Sequence, residues 1–119
     1  MKSIFSRKSP RQWSLGSAIE VDEKYADLYD EGAAALRDGN PELAIRRFEE
    51  LTGKAPDNVL FCTCAAQANI LYQTINGWDI GYAARAERFM SRAKSLAPNA
   101  PQLIYLENAL DAIVKTRDD

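Results

Sequence analysis

Apolar positions in this chain recur at helical spacing, and nowhere do they alternate over a useful length. From Glu20 onward, Leu28, Ala35 and Leu36, with the small residues Gly32 to Ala35 among them, predict the buried face of a first helix. Gly39 ends it, because glycine readily takes the left-handed conformation that closes a helix. Asn40 caps a second helix, with Pro41 at the first position, where a missing N–H costs no hydrogen bond. Leu43, Ala44, Phe48 and Leu51 form its apolar stripe, and it stops at Gly53, before Pro56. Asp57 or Asn58 caps a third helix from Val59 to Gln73, and Asn76-Gly77 marks a turn. Asp79 caps a fourth, reaching Leu96, with Ala86, Phe89, Met90 and Ala93 facing inward. Pro98 and Pro101 punctuate the next joint. A fifth helix follows from Pro101 to Thr116, with Leu103, Leu106, Leu110 and Ile113 on one face. The predicted fold is all-α, built from antiparallel helix pairs with short joints.

The pairs repeat each other. Residues 25–58 hold Leu28, then Glu31-Gly32, Ala35, Ala44, Phe48 and Pro56. Residues 59–98 hold Cys62, Ala65-Ala66, Asn69, Ala86, Met90 and Pro98. Ala44 to Pro56 and Ala86 to Pro98 are both 12 residues, whereas Ala35 to Ala44 is 9 and Asn69 to Ala86 is 17. The second unit therefore carries an 8-residue insertion around Tyr72 to Tyr82. This order of apolar, small and aromatic residues closed by proline resembles the tetratricopeptide repeat family. The first unit follows the pattern, with Glu31 and Ala35 standing where the family has apolar and aromatic residues. The resemblance spans about 25–114 and implies two repeats stacked as a short right-handed superhelix, with residues 101–116 as a capping helix. A helix pair alone cannot bury its apolar face, and about three repeats usually make a stable stack. Two repeats and a cap sit at that minimum.

The resemblance also implies a concave groove lined by alternate helices. Its lining falls on Ala26, Tyr29, Ala33, Leu36 and Arg37, on Leu60, Thr63, Gln67 and Ile70, and on Leu103, Glu107 and Leu110. Chaperone-binding members of the family clamp a terminal carboxylate there with lysine and asparagines. Here the corresponding places hold Tyr29, Ala33, Thr63 and Gln67, so that clamp is not expected. Such a groove suits an apolar segment of a partner, or is filled by the cap and binds nothing.

Composition narrows the chemistry. The 119 residues include no histidine, the usual general base and a frequent metal ligand. Serine or cysteine triads and zinc-protease motifs lack their commonest part. Gly53-Lys54 has neither the upstream glycine nor the hydroxyl of a phosphate loop. No catalytic residue, metal or cofactor is expected. Cys62 and Cys64, two apart on a helix, point in different directions, so reduced thiols and a cytoplasmic setting are expected. No apolar run reaches the roughly 18 residues of a membrane span.

The net charge of −2 hides a division. Residues 1–19 carry +4 with no acid, residues 20–58 carry −6, residues 59–98 +2, and residues 99–119 −2. The first segment reads as a basic arm ahead of a helical domain over 20–119. The acidic body offers no aromatic-basic motif, so nucleic acid is not an expected partner. Arg85, Arg88 and Arg92 form one stripe of the fourth helix, read either as a solvated face or as a contact for an acidic partner. Trp78 and Tyr82 in the insertion, with Tyr105 on the fifth helix, make a candidate second interface. The fifth helix is apolar on more than one side, which points to a further contact such as a homodimer seam.

The expected function is a non-catalytic adaptor, scaffold or chaperone-like module that binds a protein or peptide partner. The alternative is an accessory subunit of an enzyme or envelope complex, tethered by its basic arm.

Overall fold

The computed structural model describes residues 21–117, and the basic arm expected over 1–19 lies outside them. The described chain is all-α. A 3-10 turn, Glu23–Tyr25, leads into α1 (Ala26–Arg37), α2 (Pro41–Lys54), α3 (Val59–Asn76), α4 (Ile80–Leu96) and α5 (Pro101–Arg117). The first helix thus begins later than its periodicity predicts. Asp22 turns its carboxylate onto the Lys24 N–H at 3.2 Å, and the Tyr25 N–H reaches back to the Asp22 carbonyl. Those bonds close a tight turn before the α-helix starts.

Capping fixes the other boundaries. Asn40, Asn58 and Asp79 each occupy an N-cap, and their side-chain oxygens accept from N–H groups of the first turn. Gly39, at φ +72°, closes α1. The Asn40 N–H bonds to the Ala35 carbonyl and the Gly39 N–H to that of Leu36, a Schellman arrangement.

Consecutive helices run antiparallel. Gly32 of α1 meets Phe48 of α2, and Glu31 pairs with Arg47 through a 2.6 Å contact. Asn69 of α3 donates to Glu49 of α2 at 3.2 Å. Tyr72 of α3 stacks on Tyr82 of α4 at 3.8 Å between ring centroids. Helix α3 is central, packed against α2, α4 and α5. Its buried residues, from Leu60 through Ala66 and on to Gln73, cover nearly its whole circumference. A helix enclosed on all sides shows no single apolar stripe.

The insertion does not form a loop. It lengthens both helices, so α3 has 18 residues and α4 has 17, against 12 and 14 in the first pair. Only Gly77, Trp78 and Asp79 join them. Buried Gln73 ties this joint down: its Oε1 accepts from the Asp79 N–H at 3.2 Å, and its Nε2 donates to the Asn69 carbonyl. An intramolecular hydrogen bond is worth about 0.5–1.5 kcal/mol net, and replacing Gln73 removes two. Gln73→Leu will therefore lower stability by about 1–2 kcal/mol. Hydrogen exchange should localise the loss at Trp78 to Tyr82, and unchanged protection there would contradict the assignment.

Candidate protein-binding surface

Of the twelve residues expected to line a groove, eight lie in the core. Tyr29 has 0% of its surface exposed, and Ala26, Ala33, Leu60, Thr63, Ile70, Leu103 and Leu110 are also buried. The expectation that they present a surface to a partner is corrected by the packing. The Tyr29 ring sits 5.9 Å from Phe48 and 6.3 Å from Phe61, wedged among α1, α2 and α3. The Thr63 hydroxyl donates to the Leu60 carbonyl one turn back at 2.9 Å, so its polarity is satisfied within α3. Leu36 and Gln67 are half-buried, while Arg37 and Glu107 are exposed. Tyr29 and Ala33 do underlie one shallow depression of about 200 Å³, with Asp30 and Arg37 beside them. Glu107 belongs to a different hollow.

That hollow is a cleft of about 460 Å³ between α4 and α5. Glu87, Met90, Ser91 and Lys94 line it from α4, and Glu107, Leu110 and Asp111 from α5. Met90 and Leu110 form an apolar floor, and three carboxylates and one ammonium stand above it. Glu107 and Leu110 are among the expected site residues, and the other five are not. The signal was present as two polar stripes, Glu87-Ser91-Lys94 and Glu107-Asp111, each beside an apolar one. Without knowing which helix faces meet, such stripes read as solvent-facing.

The candidate second interface is scattered. The Arg85 guanidinium lies 5.2 Å from the centre of the Tyr82 ring, and that of Arg117 lies 4.8 Å from the Trp78 ring. These contacts gather Tyr72, Trp78, Tyr82 and Arg85 at the α3–α4 joint. The Tyr82 phenol, followed by desolvation and the acids Glu42 and Asp79, raises the Tyr72 hydroxyl above the usual tyrosine range. Arg88 covers Phe89 at 5.5 Å. Arg92 lies toward the other end of α4, near Cys62. Tyr105 stands apart on α5, 67% exposed, beside Ile104 at 66%.

Cys62 and Cys64 are buried free thiols. Burial pushes the Cys64 thiol up to about 12 from an ordinary value near 9.0, and burial also raises Cys62 against the opposing pull of Arg92. The thiolate is the nucleophile, so neither side chain is poised to react. Iodoacetamide at pH 8 should leave both unlabelled in the folded protein and label both in urea. Rapid native labelling would show that the core around them opens. In the unfolded chain Cys64 loses its proton near pH 9, while in the folded chain it holds the proton to about 12. Its contribution is therefore complete below pH 9 and is lost as pH rises from 9 toward 12.

Among the described residues, no group of three or more His, Cys, Asp or Glu is arranged to hold a metal ion. No described helix is long and apolar enough to cross a membrane. No protein-family model, curated protein or solved structure matches the chain.

Proposed function

We propose that this chain is a non-catalytic protein-binding module of tetratricopeptide type, an adaptor or chaperone-like holder of a partner segment. The observation that carries this reading is the exposure of Ile104 and Tyr105, 66% and 67%, on the last helix of the described chain. Helix α1 is paired by α2 and α3 by α4, but α5 has no following helix among the described residues. Large apolar side chains on an uncovered helix are the usual mark of a protein contact, and tyrosine is among the residues that anchor such contacts. The contact surface in this reading is the α5 end of the stack, with exposed Glu107 at its edge. Arg37, Leu36 and Gln67 supply the accessible remainder of the groove.

Affinity capture from the native host tests it, comparing the full chain with an Ile104→Asp, Tyr105→Asp variant. Both positions are exposed, so circular dichroism should show an unchanged helical fold. The expected result is a loss of at least tenfold in captured partner. Equal capture by the two proteins would reject the α5 surface.

A further inference from the structure

We propose that the cleft between α4 and α5 seats an amphipathic helix of a partner protein, one that is basic along its flanks. This rests on the protein-binding reading and names the partner's chemistry. In the two pairs of the fold, a second helix lies against the first: α2 covers α1, and α4 covers α3. Helix α5 lacks that cover among the described residues, and the cleft runs along its side. Its walls are two helices, its floor is Met90 and Leu110, and its volume is about 460 Å³. Ridges of side chains on one helix fit the grooves between others, the packing that joins helices within this fold. On α5 the residues Ile104, Glu107 and Asp111 are spaced i, i+3 and i+7, so exposed Ile104 shares a stripe with the cleft's two α5 acids.

Charge selects the occupant. Glu87, Glu107 and Asp111 face one opposing group, Lys94, and no ion pair joins any of these four to another described residue. The arginines Arg85, Arg88 and Arg92 are not part of the cleft lining. An occupant with lysines or arginines beside its apolar stripe would meet those carboxylates, and an acidic one would be repelled. The apolar stripe would rest on Met90 and Leu110, as in other helix-in-groove recognition.

A displayed library of 16-residue helical peptides, selected against the full chain, tests this. Enriched sequences are expected to carry apolar residues at i, i+3 or i+4, and i+7, with lysine or arginine beside them. The Kd of the best peptide, by fluorescence anisotropy, should rise at least tenfold against Glu107→Lys, Asp111→Lys and change less than threefold against Arg85→Glu, Arg88→Glu. All four substituted positions are exposed, and circular dichroism checks that each variant keeps its fold. Enrichment without basic residues, indifference to the Glu107 and Asp111 reversals, or an empty selection overturns the proposal. Peptides that ignore those reversals but are lost with Tyr105→Asp overturn the cleft while leaving the protein-binding reading intact. A dimer in sedimentation that the same reversals dissociate would put a second copy in the cleft and overturn the partner helix.

Discussion

Tyr29→Ala will cost about 3–5 kcal/mol of folding free energy, the range for removing a large buried aromatic side chain. The ring is fully buried and touches Phe48 and Phe61, which belong to two other helices. Its loss opens a cavity where α1, α2 and α3 meet, and neither phenylalanine can fill it without leaving its own contacts. A domain of this size is typically stable by about 5–15 kcal/mol, so the variant should unfold at much lower urea concentration. The midpoint should fall with little change in slope. A groove-lining tyrosine would behave differently: its removal would leave the midpoint in place and weaken partner binding alone. The measurement therefore separates core from groove at this position.

Gly32→Val is expected to be nearly as damaging, at about 2–3 kcal/mol, through overpacking. A β-carbon at Gly32 would lie 2.8 Å from Phe48 Cζ, 2.9 Å from Cε2 and 3.0 Å from Cε1. Phe48 is itself fully buried and cannot swing away. Either α1 moves off α2 or the phenyl ring leaves its place against Tyr29. Gly53 supplies the contrast. It lies exposed in the last turn of α2, and a β-carbon there would meet nothing within 4 Å. Gly53→Ala should stabilise by about 0.4–1 kcal/mol, because alanine narrows the unfolded ensemble and favours the helix. Opposite shifts of the thermal midpoint are the expected outcome. Phe48→Leu in the Gly32→Val background should recover part of the loss, since two changes at one contact are not additive. A rescue no larger than the separate effects predict would place the clash elsewhere.

Much of the architecture was legible because its determinants are local. Asn40, Asn58 and Asp79 cap helices by bonds to residues two or three positions away, and Gly39 closes α1 through its own backbone. The stripes of α4 and α5 predicted their buried residues correctly, from Ala86 to Ala93 and from Leu103 to Ile113. The spacing of the second unit was also legible, and so in outline was its consequence: helices predicted from Val59 to Gln73 and from Asp79 to Leu96 leave only a short joint. The structure carries the first of them three residues further, to Asn76. Tyr72 stacking on Tyr82, and Gln73 bonding to Asp79, favour extension.

The groove shows the limit most clearly. Repeat positions assign Tyr29 and Ala33 to an open face, yet the rotation of α1 against α2 decides which side points inward. At this contact Gly32 lies close against Phe48, and the Tyr29 ring sits beside Phe48 and Phe61. The cleft between α4 and α5 was out of reach for the same reason. Glu87 and Lys94 are far along the chain from Glu107 and Asp111, and only the packing of two helices makes them neighbours.

By itself the sequence determined the helices, their caps, their order and the all-α class, because hydrogen bonds and apolar periodicity within a few residues decide those. The tertiary structure alone decided that Tyr29 belongs to the core and where an accessible cleft lies. Those depend on the relative rotation and approach of helices, and such distances are set by side-chain volumes meeting across the fold.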